Sequence, residues 1–412
     1  MKKTWIVLLA LLLLAAPSAV QAQFTYTTNN GAITLAIYTG AGGAVVISNF
    51  VTSIGDPADP AFYGCTGLTS ITIPGSVTNI GEAAFEHCAS LTSVTIPYGV
   101  ISIGQFAFAY CSGLTSVAIP ASVTSIGEDA FFYCTGLTTV TIFASATSLG
   151  QFAFQGCTNL TNVRILNGVT SIGDYAFDDC TGLTRVTIPA SVTNIGYDVF
   201  YDCTGLAEIT VDTSNALYSS TNGVLFDKSR TTLVAFPGGI GGSYTIPASV
   251  TSIGISAFSG CSGLASVAIP GSVTSIGQDA FEACTSLASV YFNGNAPTVG
   301  SDVFFLDDHA TVYYLPGTTG WSSFFAGCWP APWFLPNPLI LNNGSSLGAQ
   351  SNAFGFTISW AANISVVVET CTNLAFRVWT PLQTNALTNG TFHFSEALQT
   401  NIPGRYYRIR SP

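Results

Sequence analysis

Charged side chains are scarce in this chain of 412 residues, because Lys, Arg, Asp and Glu together make up 8% of it, against roughly 25% in ordinary soluble domains. Basic residues are the scarcest: 10 Lys and Arg stand against 21 Asp and Glu, giving a formal net charge of −11. Binding to nucleic acid or to anionic lipid by charge needs a basic surface. The composition therefore argues against both partners, and small polar residues must solvate most of the surface.

Long apolar runs are also missing after the first 22 residues. Residues 1–22 have the layout of a secretory signal peptide, with a basic start, an apolar run over 6–16 and a small-residue site that ends at Ala22. We expect cleavage near Ala22 and a mature protein that is secreted or held at the outer cell surface. No later apolar stretch reaches the roughly 20 residues that span a bilayer, so no transmembrane span is predicted.

The most abundant feature of the chain is a repeat with a period of 23 residues. A phenylalanine marks each unit, and in most units a cysteine follows three positions later. A fixed period of this length is typical of a solenoid, whose stacked coils bury a core that no single coil could bury alone. The phenylalanines are Phe62, Phe85, Phe108, Phe131, Phe154, Phe177, Phe200, Phe258, Phe281 and Phe304, and the cysteines are Cys65, Cys88, Cys111, Cys134, Cys157, Cys180, Cys203, Cys261 and Cys284.

The unit at 114–136 shows how each coil is expected to fold. Val117 and Ile119 alternate with polar or small residues, which predicts a short strand with those two side chains facing inward. Pro120 ends that strand, because proline cannot donate to a sheet. The segment Glu128–Cys134 predicts a short helical turn, with its apolar residues inward at helical spacing.

Two units carry a resemblance to a known family. LTSVAIPASVTSIGEDAFFYCTG and LASVAIPGSVTSIGQDAFEACTS resemble the BspA-like, Treponema pallidum-type leucine-rich repeat, with Leu, Ile-Pro, Ile-Gly, Ala-Phe and Cys all in phase. The resemblance covers about residues 24–325. It implies a right-handed leucine-rich-repeat solenoid of parallel β-strands on a secreted or surface protein, often an adhesive one. It implies no catalytic residues.

These patterns divide the chain into five segments. They are a signal peptide (1–22), an N-terminal β cap (23–50), the solenoid (51–327), a Pro-rich linker (328–340) and a C-terminal β module (341–412). A variant coil with a hairpin at 211–246 interrupts the period. The last segment, with VVVETCTNLAFRVWTPLQT and PGRYYRIRSP, resembles a module of exported Verrucomicrobia-like proteins. Its short apolar runs predict a small antiparallel β-sandwich-like domain.

Eleven cysteines in an exported chain would ordinarily suggest disulfides. Nine of them occupy one repeat position, where stacked coils hold their side chains parallel and about 4.8 Å apart. Parallel side chains fit a disulfide poorly, because the bond needs two Cβ atoms that are close and face each other. We expect a column of buried free thiols, with some bridging as the alternative. Cys328 and Cys371 lie outside this column and could pair with each other.

The outward positions of the predicted strands are almost all small and polar, and three charges break this pattern in successive coils. Arg164, Arg185 and Glu208 therefore form the candidate partner-binding patch, in which the arginines would bind carboxylates of a partner. The alternative is a surface ion pair between Arg185 and Glu208, which would contribute little.

Residues for catalysis or metal binding are few. His87, His309 and His393 fall in different repeats or modules, and none belongs to a two-histidine helical metal motif. Asp307-Asp308-His309 is interpreted as a solvated turn, because a catalytic triad needs a fixed pocket. We predict a protein that is not an enzyme and has no metal or cofactor.

An acidic group and the C-terminal module leave further alternatives open. Calcium needs about six to eight oxygens, so an acidic solvated edge is favoured over a calcium site at Asp178, Asp179, Asp198 and Asp202. In the C-terminal module the predicted strand with Arg408 and Arg410 contacts an acidic polymer or is merely solvated. Trp333, Trp360 and Trp379 could form a platform on which a sugar stacks, or they could belong to a buried aromatic core.

The leading functional hypothesis is an exported, non-enzymatic binding or adhesion protein. It would recognise a protein or a cell-surface polymer through the outward side of the solenoid strands, because the repeats create surface and no pocket. One alternative is a structural spacer in the envelope. The other is an accessory carbohydrate-binding module.

Overall fold

The computed structural model describes residues 24–29, 31–55, 58–143, 148–332, 339–341, 347–350, 353–360, 365–372, 378–397 and 404–410. The predicted signal peptide and residues 333–338 of the predicted linker, which include Trp333, lie outside these residues. Within them, no helix is long and apolar enough to cross a membrane. The described chain is built from strands and turns.

The first 28 strands extend to Pro332. In chain order they are β1 (Phe24–Asn29), β2 (Ala32–Tyr38), β3 (Gly43–Val46), β4 (Ser53–Ile54), β5 (Leu68–Thr72), β6 (Asn79–Ile80), β7 (Ser93–Thr95), β8 (Ser102–Ile103), β9 (Ser116–Ile119), β10 (Ser125–Ile126), β11 (Thr139–Ile142), β12 (Ser148–Leu149), β13 (Asn162–Ile165), β14 (Ser171–Ile172), β15 (Arg185–Ile188), β16 (Asn194–Ile195), β17 (Glu208–Val211), β18 (Tyr218–Thr221), β19 (Val224–Asp227), β20 (Thr232–Ala235), β21 (Gly242–Thr245), β22 (Ser252–Ile253), β23 (Leu264–Ile269), β24 (Ser275–Ile276), β25 (Ser289–Phe292), β26 (Thr298–Val299), β27 (Thr311–Tyr314) and β28 (Ala331–Pro332). The C-terminal strands are β29 (Leu339–Leu341), β30 (Leu347–Gln350), β31 (Ala353–Ser359), β32 (Ser365–Cys371), β33 (Thr380–Ala386), β34 (Thr391–Ala397) and β35 (Tyr406–Arg410).

Equivalent strands of successive coils pair in parallel and in register, so the described solenoid has about 12 turns. Val140 of β11 pairs with Val117 of β9 on one side and with Val163 of β13 on the other. A second row is made of two-residue strands, where Ile126 of β10 pairs with Ile103 of β8. The predicted parallel-strand solenoid with its 23-residue spacing is thus confirmed. We call the outward side of the longer strands the strand face.

The repeat phenylalanines form a single file of stacked rings in the core. The ring centroids of Phe108 and Phe131 are 5.2 Å apart, and those of Phe131 and Phe154 are 5.1 Å apart. Their planes differ by only 5° and 4°, and all three side chains are fully buried. Each ring is therefore covered on both faces by rings of the neighbouring coils.

Beside this file runs a column of buried thiols. Cys134 Sγ donates to the carbonyl oxygen of Phe108 in the preceding coil at 3.1 Å, and Cys157 Sγ donates to that of Phe131 at 3.3 Å. Burial raises the pKa of the Cys157 thiol to about 12, so the thiol stays neutral and unreactive. All eleven cysteines are free thiols, and Cys328 and Cys371 do not pair.

The short helical turns predicted at Glu128–Cys134 and its equivalents are wrong, because the described residues contain no helix there. Asp129 and Tyr133 have φ of 55° and 52°, whereas an α-helix needs negative φ throughout. The amides of Asp129, Phe131 and Tyr133 donate to carbonyl oxygens of the next coil at 3.0, 2.8 and 2.7 Å. Alternate amides of this segment therefore bond along the stack, as in a parallel sheet, whereas the amides of Phe132 and Cys134 donate within the turn to Asp129 and Phe131 at 3.0 and 3.3 Å. We call the side of the solenoid formed by these segments the turn face.

The N-terminal end of the solenoid is closed by an antiparallel pair. β1 pairs with β2, and β2 then pairs in parallel with β4 of the first coil. The ring of Tyr38 lies 4.9 Å from that of Phe62 and takes the place of a preceding phenylalanine in the file. This end of the core is consequently not exposed.

The period is interrupted where β18, β19 and β20 form an antiparallel meander. The buried amide of Asn215 holds this coil to the one before it, since its Nδ2 donates to the carbonyl oxygens of Pro189 at 2.8 Å and Val192 at 3.0 Å. Its Oδ1 accepts from the amides of Leu217 and Tyr218. All the hydrogen-bonding capacity of this buried side chain is used, which fixes the variant coil on the stack.

The phenylalanine file restarts after the variant coil. Phe236 begins the second file and lies 4.9 Å from Phe258, but no ring contact joins it to Phe200 among the described residues. A cavity of about 30 Å³ lies between them, lined by Phe200, Phe236 and Asp198 among others. The apolar core is accordingly divided into two clusters at this coil.

The C-terminal strands form two antiparallel sheets. β31 pairs with β29, β30 and β34, and β32 pairs with β33 and β35. Phe356, Phe394 and Val368 belong to one shared apolar cluster that includes both sheets, in agreement with the predicted antiparallel fold. Ser359 Oγ donates to the carbonyl oxygen of Pro316 at 2.7 Å and links this module to the last coils.

The stacked file predicts that one ring lends stability to several coils. We expect Phe131→Ala to lower the free energy of unfolding by ~3–5 kcal/mol, because the cavity removes contacts with both neighbouring rings. The adjacent Phe132→Ala serves as the control, since that ring is only half-buried on the turn face. Urea unfolding measures both variants, and equal losses would contradict a continuous file.

Candidate binding surface

The strand face is a flat array of small polar side chains. In-register pairing places Ser116, Thr139 and Asn162 in one outward column, and places Ala118, Thr141 and Arg164 in the next. Outward residues alternate along each strand with buried Val and Ile. Equivalent positions repeat about every 4.8 Å. Because the side chains at most of these positions are short, a long side chain on this face extends beyond them into solvent.

The three charged residues predicted as the patch all lie exposed on this face, in successive coils. Arg185 of β15 and Glu208 of β17 are direct partners in register. Arg164 of β13 pairs with Thr141 and occupies the other outward column. Sequence periodicity alone placed these residues together, and the structure agrees on their positions.

The ion pair considered between Arg185 and Glu208 is not formed. Within the described chain the ion pairs shorter than 4.0 Å involve neither of the two arginines of the patch nor Glu208. Between their coils the hydroxyls of Thr187 and Thr210 bond to each other at 2.8 Å. Both guanidinium groups therefore keep their full set of donors for a ligand, and arginine binds carboxylates through two parallel hydrogen bonds.

The acidic residues singled out from the sequence lie on the turn face. Burial and, after it, the neighbouring carboxylate of Asp179 raise the pKa of Asp178 to about 7, although the amide of Gln155 donates to the Asp178 carboxylate, which lowers the pKa. Burial also raises the pKa of Asp198, whose Oδ2 accepts from Ser256 Oγ at 2.9 Å. In the part of the chain that is described, no group of three His, Cys, Asp or Glu side chains is arranged to hold a metal ion.

The three histidines stay in separate parts of the molecule. His87 Nε2 lies 3.5 Å from Glu86 Oε1 on the turn face, and His393 Nδ1 lies 3.1 Å from Thr357 Oγ1 in the C-terminal module. Asp307 is buried near the last coil, and burial raises its pKa to about 7. The geometry brings no two histidines together.

The C-terminal arginines are engaged within their own module. Arg408 Nε and Arg410 Nε donate to the two carboxylate oxygens of Glu369 at 2.6 and 2.8 Å. The hydrogen bond from Arg410 is the main cause of the lowered pKa of this buried carboxyl. The Arg408 guanidinium also lies 4.6 Å above the ring of Trp379. These contacts join β32 to β35 and occupy one tryptophan of the proposed stacking platform.

One feature escaped the sequence reasoning altogether. Exposed rings of His87, Tyr110 and Tyr133 stack along the turn face, and Tyr63 contacts His87 edge-on. The signal was present, because the three stacked residues recur every 23 residues, two positions after the repeat phenylalanine. The recurrence was overlooked because a helical turn was expected at these residues. A helical turn gives no reason for the second residue after each phenylalanine to be aligned from coil to coil.

The solenoid is similar in sequence and in structure to known proteins. The model of the BspA type leucine rich repeat region matches in 6 copies, over residues 43–157, 124–242 and 235–328. A leucine rich cell surface protein from Faecalibacterium prausnitzii is 30% identical, with a TM-score of 0.59, over 77% of this chain and 95% of its own. No curated protein matches.

Two further solved structures show a weaker similarity to the chain. The leucine rich repeat protein of T. pallidum is 31% identical over 44% of this chain and 87% of its own, with a TM-score of 0.41. The pneumococcal vaccine antigen PcpA is 19% identical over 72% of this chain and 80% of its own, with a TM-score of 0.49. The family matches end at residue 328, so the resemblance of the C-terminal module stays a prediction.

The buried carboxyls predict an unusual dependence of stability on pH. Burial raises the pKa of Asp178 and Asp307 to about 7 and that of Asp129 to about 6. A group whose pKa is higher in the folded protein favours folding below its unfolded pKa, and this contribution is lost as the pH rises through the folded value. The melting temperature should therefore fall between about pH 4 and about pH 7.

Thermal unfolding at several pH values tests this expectation. Asp178→Asn should flatten the profile, because an amide does not ionise, while Asp302→Asn on the exposed surface is the control. A melting temperature that rises across the same interval would contradict the burial of these carboxyls.

Proposed function

Because the chain belongs to the family of BspA-type leucine rich repeat proteins, we propose that it is an exported, non-enzymatic protein that binds a partner at the cell surface. A cell surface protein is among the solved structures most similar to it. The solenoid presents long exposed faces, and the cavity lined by Phe200 and Phe236 has a volume of only about 30 Å³. Such surfaces suit recognition of a macromolecule better than the chemistry of a small substrate.

The observation that carries the proposal is the pair of unpartnered arginines on the strand face. Arg164 and Arg185 are exposed, and the outward residues around them are small apart from Glu208. A partner with surface carboxylates, either a protein or an acidic polymer, would gain hydrogen bonds from both guanidinium groups at once. Glu208 beside them repels a wrongly placed carboxylate and so fixes the register of the partner.

Two other functions remain distinct from this one. A structural spacer would use the regularity of the stack alone and would leave the arginines without a partner. A carbohydrate-binding module would need accessible aromatic rings, but Trp379 lies under Arg408 and Trp360 packs against the core of the C-terminal module. The arginine pair therefore favours recognition of a carboxylate-bearing partner.

Export is part of the same proposal. The layout of residues 1–22 supports cleavage near Ala22, which would release a chain that begins at Gln23. Mass spectrometry of the protein recovered from its native cells should give this N-terminus. A product that still carries Lys2 and Lys3 would contradict export by this route.

The role of the patch is tested by removing its charge. We expect the double variant Arg164→Ser, Arg185→Ser to capture its partner from a cell-surface extract at least about tenfold less well, because two charge-assisted contacts are lost. Arg230→Ser, an exposed arginine on the variant coil, is the matched control and should bind normally. Glu208→Ser should strengthen binding of an acidic partner. Equal capture by the double variant and the wild-type protein would remove the proposal.

A further inference from the structure

The turn face carries a column of exposed aromatic rings, which we call the aromatic column: Tyr63, His87, Tyr110 and Tyr133. The rings of His87 and Tyr110 are 4.5 Å apart and within 7° of parallel, and Tyr133 follows Tyr110 at 5.9 Å. Tyr63 stands almost perpendicular to His87 at 5.7 Å. The rings remain open to solvent, with 54% of Tyr63 and 44% of the His87 side chain exposed.

The residues of the aromatic column have a backbone conformation that is unfavourable for bulky side chains. His87, Tyr110 and Tyr133 have φ of 61°, 58° and 52°, in the left-handed region that bulky side chains rarely adopt. At the same repeat position Gly156 has φ of 70° and Gly260 has φ of 69°, and glycine adopts this conformation without strain. The coil therefore needs a left-handed residue there, but it does not need a ring.

The neighbouring coil is adapted to the column. Gly156 follows Tyr133 in the stack, and a Cβ atom at this glycine would meet the Tyr133 ring at 2.7 Å. The ring thus lies directly over the backbone of the next coil, which a side chain at position 156 would prevent. Glycine there both satisfies the left-handed conformation and leaves room for the last ring.

The surroundings of the column are purely acidic. The sequence has no Lys or Arg between Phe24 and Arg164. Glu86 Oε1 lies 3.5 Å from His87 Nε2. Burial raises the pKa of nearby Asp129, and the carboxyls of Glu128 and Glu86 raise it as well. Phenol hydroxyls and carboxylates with no Lys or Arg among them are complementary to a cationic partner.

We propose that the aromatic column and its acidic neighbours form a second docking surface, which binds an arginine-bearing segment of a partner protein. A guanidinium group pairs with carboxylates through two hydrogen bonds and also packs against aromatic rings. Lysine offers a compact, strongly hydrated charge and fits such a surface less well. The strand-face patch has the opposite charge and lies in later coils, so neither site depends on the other.

An oligoarginine peptide is a direct probe of this surface. The mature protein should bind it at low ionic strength, and more tightly than an oligolysine peptide of equal length. The triple variant His87→Gly, Tyr110→Gly, Tyr133→Gly should lose about tenfold in affinity for oligoarginine, because three aromatic contacts are removed while every charged Asp and Glu is kept. Fluorescence anisotropy of the labelled peptide measures each affinity.

Two matched variants separate recognition from a purely structural role. Leu306 occupies the same repeat position with φ of 64° and is exposed, so Leu306→Gly makes the same backbone change without removing a ring and should bind as the wild type does. Because leucine is tolerated at this position, the variant His87→Leu, Tyr110→Leu, Tyr133→Leu keeps the bulk and removes only the aromatic character. It should lose the same affinity as the glycine variant.

The outcomes decide the proposal in either direction. Loss of oligoarginine binding in both triple variants, with thermal unfolding unchanged in at least one of them, supports it. Wild-type affinity in the triple variants, equal binding of oligolysine, or no binding of oligoarginine to the wild-type protein would each overturn it. The strand-face variant Arg164→Ser, Arg185→Ser should bind oligoarginine at least as well as the wild type, which keeps this test separate from that of the proposed function.

Discussion

The structure depends on contact between successive coils, each of which covers an apolar side that its neighbour cannot bury alone. The clearest expression of this contact is the file of phenylalanine rings, where Phe131 is covered by Phe108 and Phe154. The backbone follows the same direction, since the amides of Phe131 and Tyr133 donate to the next coil. Side chains and backbone thus stabilise the fold along one axis.

This constraint also determines where function can be placed. Inward positions are occupied by the core and tolerate little change, whereas outward positions of each coil differ from one coil to the next without changing the packing of the core. Variation is concentrated on two sides: the strand face carries Arg164 and Arg185, and the turn face carries the aromatic column and most of the acids. A partner would therefore contact equivalent side chains of several successive coils. The distance between these side chains is fixed by the distance between paired strands.

The sequence predicted the parts of the fold that periodicity encodes. The step of 23 residues placed Phe131 and Cys134 in the core and Arg164 on the outward side of a strand, and the structure has them there. It failed at Asp129 and Tyr133, because a pattern of buried and exposed residues does not reveal a left-handed φ or a hydrogen bond to another coil. The absent Arg185–Glu208 ion pair shows the same limit, since register fixes which residues are opposite but not how their side chains turn.

The thiol column offers the most direct test of the central claim, because its cysteines report burial in every coil. The account predicts that Cys88, Cys111, Cys134, Cys157, Cys180 and Cys203 stay unlabelled in the native protein and become reactive together, at the rate at which the first core unfolds. Mass spectrometry after pulsed alkylation counts the labelled thiols in each molecule. Labelling of these cysteines one by one in the native protein would mean that the coils do not bury one another, and would contradict the account.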